Sequence, residues 1–189
     1  MTPYEWKRTL ERADVTFAPG LRDSEIRAAE AAYAIRFPPD LEELLRYALP
    51  VGSAWPDWRN LSDSEIYKAL NWPLEGILFD VEHNVFWLAE WGERPAELEH
   101  AFAVACAHVA LAPKLIPVFA HRYVPQEPPS AGNPVFSVYQ TDIIYYGSNL
   151  AEYFANEFPS HFHRSGSKYQ ISEPLVRIDF WSMLAENNY

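Results

Sequence analysis

Two apolar segments in the C-terminal half of the chain, residues 134–139 and 141–146, are separated by the single residue Gln140. Both are rich in aromatic and β-branched residues, which favours strands. Parallel strands need a crossover of about a dozen residues or more, so a connection this short permits only an antiparallel hairpin. The chain is therefore expected to build its sheet from antiparallel strands.

Other segments extend this pattern. Residues 76–81 and 85–88 read as a second strand pair around a turn at 82–84. Residues 115–124 also read as a strand, and Pro117 places its start at a sheet edge or a bulge.

Several segments repeat apolar residues with helical spacing, which predicts helices. They are residues 20–34, 39–49, 63–70, 96–112 and 148–158. Asp23 and Ser148 are the predicted N-caps of the first and last of these helices, and Ser62 with Glu65 forms a predicted capping box for the third. Residues 175–186 have an ambiguous pattern, which we interpret as an extended segment leading into a terminal helix.

This order of elements predicts an α+β fold. Helices precede the strands, one helix interrupts them, and helices follow them, so an antiparallel sheet of about four to six strands is covered by N-terminal and C-terminal helices. With 189 residues, 49 % of them hydrophobic, and no long linker, the chain is expected to form a single domain over residues 1–189.

The N-terminal residues and the single cysteine predict a cytoplasmic protein. Glu5, Lys7 and Arg8 interrupt the first ten residues, which is untypical of a secretory signal. No run approaches the roughly 18 apolar residues of a membrane span. A lone Cys106 excludes an intrachain disulfide, as expected in a reducing compartment.

Acid and tryptophan are concentrated in residues 51–100. Five of the seven tryptophans lie there, with ten carboxylates against three Lys or Arg residues, in a chain of net charge −11. Nucleic acid would be repelled by this charge, whereas a basic protein would be attracted. The alternative reading, that the charge serves solubility alone, stays open.

Ten residues of this region are the predicted partner-binding residues, because indoles and arginines ringed by charge are typical of binding hot spots. They are Trp55, Asp57, Trp58, Arg59, Asp80, Glu82, Asn84, Glu90, Trp91 and Arg94. Trp55, Trp58 and Trp91 are the preferred anchors, since they lie in loop-like sequence.

Catalytic signals are weak by comparison. Asp80 and Glu82 lie two residues apart on a predicted strand and would share one face, beside His83 and Asn84, which suits acid–base chemistry if they line a cleft. A solvated strand end explains them equally simply. Glycine-rich phosphate loops and zinc-binding motifs are missing from the sequence, so no cofactor and no metal are expected, although His161 and His163 could bind a metal from a loop.

Three segments resemble the SUKH superfamily, which contains fungal cell-wall assembly regulators and bacterial immunity proteins against polymorphic toxins. The first covers residues 20–52, with Gly20-Leu21, Glu25-Ile26, Glu30 and the run FPPDL before a leucine-rich helix. Residues 134–154 resemble the family's paired strands and closing helix. Residues 72–95 resemble a bacterial branch of stand-alone members. Arg22 departs from the Ser or Thr cap that family members often have.

The resemblance implies an α+β fold, no catalytic residues, and a role as a scaffold that binds and neutralises toxins. The leading hypothesis is a non-enzymatic immunity protein that occludes a basic toxin domain. The alternative is an intracellular regulatory or scaffold protein. A third reading is a hydrolase or other enzyme, which requires a cluster of Asp, Glu and His side chains to converge in a cleft. The candidates are Asp80, Glu82, His83, His121 and Asp142.

Overall fold

The computed structural model describes residues 2–159 and 171–187, which form seven α-helices and six strands. His161 and His163 lie outside the described residues. In chain order the elements are α1 (Pro3–Glu11), β1 (Thr16–Pro19), α2 (Asp23–Tyr33), α3 (Pro39–Tyr47), β2 (Ala48–Val51), α4 (Ser64–His83), a 3₁₀ turn (Ala89–Trp91), α5 (Leu98–Val109), β3 (Leu115–Phe119), β4 (Arg122–Pro125), β5 (Val135–Tyr139), β6 (Asp142–Gly147), α6 (Leu150–Glu157) and α7 (Trp181–Asn187).

The main sheet is an antiparallel meander of four strands in the order β3-β4-β5-β6. Strands β1 and β2 form a separate antiparallel pair. This architecture confirms the predicted α+β class, with helices at both ends of the described chain. The predicted hairpin around Gln140 is β5–β6, and Gln140 adopts the positive φ of 55° that lets the chain reverse so tightly.

Helices cover both faces of this sheet, which explains why its strands are apolar nearly throughout. Val124 and Val135 pack into a core with α1, α2, α3 and α6. Their neighbours Tyr123 and Phe136 project to the other face, into a core with α4, α5 and α7. Successive side chains on a strand alternate between faces, so each strand supplies both cores. Within the described residues, no helix is both long and apolar enough to cross a bilayer.

Helix α4 differs most from the sequence prediction. The helix predicted at 63–70 is confirmed but continues far beyond its predicted end, and the strand predicted at 76–81 is wrong, because both segments belong to one 20-residue helix. Gly76, Ile77, Asp80 and Val81 are buried, and this spacing of one and four residues is helical. Residues 85–88 are not a strand either.

Pro73 lies inside α4 and leaves one helical carbonyl without its usual donor. Proline has no N–H, so the carbonyl of Ala69, four residues earlier, cannot receive the regular helical bond. The Tyr123 hydroxyl on β4 donates to that carbonyl instead, at 2.8 Å. Burial raises the pKa of Tyr123, so the phenol keeps the proton that it donates. A tyrosine of the sheet thus supplies the hydrogen bond that Pro73 cannot donate.

Two further contacts fix α4 across the hairpin of β5 and β6. The Trp72 indole donates to the Val138 carbonyl at 3.1 Å. The buried Asp80 carboxylate accepts from the Thr141 amide and hydroxyl at 2.8 and 2.5 Å. Between them, Gly76 passes so close to the hairpin turn that a Cβ there would lie 2.7 Å from the Gln140 Cα.

Three predicted helix caps differ from the observed caps by one residue, and one predicted strand is divided in two. The cap of α2 is Arg22, not Asp23. The caps of α4 and α6 are Asp63 and Asn149, whose side chains accept from backbone amides two and three residues on, rather than Ser62 and Ser148. Residues 115–124 form two strands, because the chain turns at Ala120. Residues 175–186 end in helix α7.

We expect Tyr123→Phe to lower the free energy of unfolding by about 0.5–1.5 kcal/mol, because it removes the hydrogen bond to the part-buried Ala69 carbonyl. The loss should shrink in a Pro73→Ala background, where the residue at position 73 regains an N–H for the same carbonyl. Urea unfolding of the four members of this double-mutant cycle measures the coupling. Equal losses in both backgrounds would contradict the explanation.

The buried Asp40 should make stability pH-dependent. It is 6 % exposed and accepts from the Leu41 and Gly132 amides at 3.0 Å each. Burial raises the pKa of Asp40 more than these two bonds lower it. The folded state therefore binds this proton more tightly than the unfolded chain.

Stability from Asp40 is present at low pH and is lost as pH rises from about 4 through the raised folded pKa. The free energy of unfolding of the wild type, measured relative to Asp40→Asn, should fall over that range. Glu99→Gln, which removes an exposed carboxylate on α5, is the matched control for the loss of one carboxylate. The same pH profile for Asp40→Asn and for this control would refute the assignment.

Candidate docking groove

Two adjoining surface depressions of about 400 and 430 Å³ form one groove. They share Glu65, Ala69 and Ala120, so they are continuous. We call this surface the acidic groove. Its lining consists of Gly52, Ser53, Ala54, Trp55, Pro56, Asp57, Asp63, Glu65, Ile66, Lys68, Ala69, Trp72, Glu75, Pro117, Ala120, His121 and Tyr123.

Three parts of the chain build the acidic groove: the loop at 52–57, the first half of α4, and the β3–β4 turn. The Ala120 amide in that turn donates to the Ala54 carbonyl at 2.8 Å, which fixes the loop to the sheet. Trp55 packs against Phe119 and Phe158, with ring centroids 4.8 and 5.7 Å away. The loop therefore rests on the core, and its outer surface is held in one position.

The charge of the groove is strongly negative. Four carboxylates line it, from Asp57, Asp63, Glu65 and Glu75, and the ammonium of Lys68 lies 2.7 Å from Glu65. Clefts lined by charge of one sign concentrate the potential and attract ligands of the opposite sign.

His121 adds no positive charge to the groove at neutral pH. Burial, followed by the neighbouring Arg122 guanidinium, lowers the pKa of His121 below its ordinary value. The imidazole is therefore neutral at pH 7 and does not offset the carboxylates.

Aromatic surface continues from the groove along α4. Trp72 is 39 % exposed although its indole N–H is bound to the sheet, and its ring lies 6.3 Å from that of the exposed Tyr139. Phe79, two turns further along α4, is also exposed and contacts the His83 ring at 4.4 Å. The acidic groove thus opens onto exposed rings whose faces attract cations.

The predicted anchors Trp58 and Trp91 are core residues, which corrects the expectation that they are accessible. Trp58 is 2 % exposed, with ring centroids 6.0 and 4.9 Å from Tyr33 and Phe37. Trp91 is 8 % exposed and stacks on His108 at 5.6 Å. A loop position does not keep an indole in water when folding the loop inward buries so much apolar area.

The predicted contact residues Arg59, Arg94 and Asn84 form hydrogen bonds to other parts of the chain. The Arg59 guanidinium lies 2.8 Å from Glu25 and donates to the Pro19 carbonyl at 2.9 Å, which ties the loop to the start of α2. Arg94 donates to the Val81 carbonyl at 2.8 Å. The Asn84 amide donates to Asp80 at 2.5 Å.

Asp80 and Glu82 do not share a face, so the predicted acid–base pair is wrong. Both lie on α4 rather than on a strand; Asp80 is 3 % exposed and Glu82 is exposed. The two Asp80 carboxylate oxygens accept hydrogen bonds from Thr141 and Asn84. His121 lines the acidic groove, and none of Asp80, Glu82 and His83 does.

Of the ten predicted contact residues, the structure places Trp55 and Asp57 in the acidic groove. Glu82, Glu90 and Asn84 are exposed and are not among the residues that line the groove. The prediction missed residues at helical spacing on α4, Glu65, Lys68, Trp72 and Glu75. Treating residues 64–83 as one helix would have placed them on a single face. Within residues 2–159 and 171–187, no group of three acidic, His or Cys side chains could hold a metal.

Comparisons with known proteins found no matching family model, and no curated protein or solved structure matches the chain significantly.

We expect Trp58→Ala to lower the free energy of unfolding by about 3–5 kcal/mol, because it leaves a large cavity between α2 and α3. Tyr47→Ala removes a half-exposed ring at the end of α3 and should cost far less. Urea unfolding of both variants gives the comparison. A small loss for Trp58→Ala would show that its indole is not part of the core.

Proposed function

We propose that this chain is a protein-binding module whose acidic groove docks a basic segment of a partner protein. The observation that carries the proposal is the concentration of four carboxylates in a groove that Trp55 and Trp72 also line, and whose only Lys or Arg among the described lining residues is the paired Lys68. Lysine and arginine side chains from a partner would meet carboxylates at the groove and indole faces at its borders.

The groove suits a polypeptide better than a small cation. Its two depressions are continuous, and the exposed aromatic side chains of α4 extend the surface past Glu75 toward Phe79. Contact along such a length would engage several basic residues at once. Nucleic acid would be disfavoured, since its phosphates would face carboxylates.

The biological role that we propose is toxin immunity by occlusion, in the cytoplasm of the producing cell. Its basis is the resemblance of residues 20–52, 72–95 and 134–154 to the SUKH superfamily. A basic substrate channel in a toxin is complementary in charge to the acidic groove, and occupying it requires no chemistry by the inhibitor. Opposite charges would also accelerate the encounter at low salt.

The mechanism relies on a surface that is rigid before binding. The Ala120–Ala54 hydrogen bond fixes the loop, and Tyr123 fixes α4 through Ala69. Less conformational freedom is then lost when the partner docks, so more of the interaction energy appears as affinity.

Charge reversal in the groove tests the proposal. The double variant Glu65→Lys with Glu75→Lys should weaken binding to a toxin domain encoded beside this chain by about a hundredfold or more, because it replaces two attractions with two repulsions. Glu97→Lys with Glu99→Lys makes the same change in net charge outside the groove and should retain near wild-type affinity. Surface plasmon resonance at two salt concentrations gives the association and dissociation rate constants.

Equal weakening by both pairs would mean that net charge, and not the groove, sets the affinity. Rescue of growth in cells that express the toxin tests immunity separately. A partner from the cell's own machinery, bound through the same groove, would replace immunity with a regulatory role and leave docking intact. Circular dichroism of each variant confirms that the fold is retained.

A further inference from the structure

A second cavity of about 300 Å³ lies on the opposite side of α4 from the acidic groove. We call it the α4–α5 cavity. Helix α4 contributes Leu70 and Leu74, the end of α5 contributes Val109, and Leu115 of the edge strand β3 and Trp181 of α7 complete its apolar wall. It lies where the two helical layers meet at the edge of the sheet.

The charge of this cavity is opposite to that of the groove. Lys114 is the only ionised side chain among the described residues that line it, and none of those lining residues is an aspartate or glutamate. In a chain of net charge −11, a cavity with one cation and no acid is a marked local exception. The lining therefore combines an apolar body with a single positive end.

Lys114 is held in place at this end. Its ammonium donates to the Ala34 carbonyl at 2.7 Å, just beyond the C-terminal end of α2. An ammonium has three N–H donors, so two remain for a ligand. The carbonyl-rich end of a helix also stabilises a nearby cation.

From these features we propose that the α4–α5 cavity binds a small amphipathic monocarboxylate. The hydrocarbon part would lie among Leu70, Leu74, Val109 and Leu115, and the carboxylate would accept hydrogen bonds from Lys114. A volume of about 300 Å³ is at the lower end of the range for ligand pockets and suits a medium-chain acid better than a nucleotide or a large cofactor. This ligand site is independent of the docking proposal, because different faces of α4 form the two surfaces.

Octanoate is the probe that tests the site. Isothermal titration should show saturable binding of one octanoate per chain, and 1-octanol should bind at least about tenfold more weakly, because it has no charge for Lys114. Lys114→Gln should weaken octanoate about tenfold and leave 1-octanol unchanged. Lys68→Gln removes a lysine from the acidic groove instead and should change neither.

Ala112→Phe fills the cavity and should abolish binding of both probes, whereas Ala103→Phe, on the exposed side of α5, should not. In the wild type, nuclear Overhauser effects from the octanoate methylenes should reach methyl groups of Leu74, Val109 or Leu115, which requires no variant to fold. The proposal is overturned if octanoate does not saturate the wild type, if Lys114→Gln binds it as tightly, or if the Overhauser contacts lie elsewhere.

Discussion

The hydrogen bond from Tyr123 to the Ala69 carbonyl is the contact on which both proposed binding surfaces depend. Pro73 deprives that carbonyl of its helical donor, and a buried tyrosine on β4 replaces it at 2.8 Å. The defect and its remedy come from segments about fifty residues apart in the chain. Because losing this hydrogen bond costs free energy, the bond favours one position of α4 on the sheet.

That position determines both proposed binding surfaces. Residues of α4 at 65, 68, 72 and 75 face the acidic groove, and residues 67, 70, 71 and 74 face the α4–α5 cavity. The Trp72–Val138 and Asp80–Thr141 hydrogen bonds prevent the helix from sliding or rotating. Helix α4 thus presents acid to the groove and an apolar wall to the cavity on its opposite side.

Sequence reasoning succeeded where structure is local and failed where it depends on distant contacts. The β5–β6 hairpin follows from a one-residue connection, so residues 134–146 alone determine it. Helix α4 does not follow from residues 64–83 alone. Pro73 and the strand-like run at 76–81 both argue against a helix, and the decisive donor is Tyr123, which lies on another element. Tertiary contacts override local propensity in such a segment.

The same distinction between local and distant contacts explains which residues of the candidate site could be predicted. Composition drew attention to acid and tryptophan in residues 51–100, but it could not separate the indoles that fill cores from those that border the groove. Trp58 and Trp72 have the same side chain, and only the fold assigns one to the interior and leaves the other 39 % exposed. Of the three predicted anchors, Trp58 and Trp91 face inward and Trp55 lines the groove, and two of the four groove carboxylates, Glu65 and Glu75, lie on a helix that the strand interpretation had interrupted. The proposed docking surface therefore depends on α4 as a continuous helix, and under this proposal a change that weakens the attachment of α4 to the sheet should weaken binding without altering a contact residue.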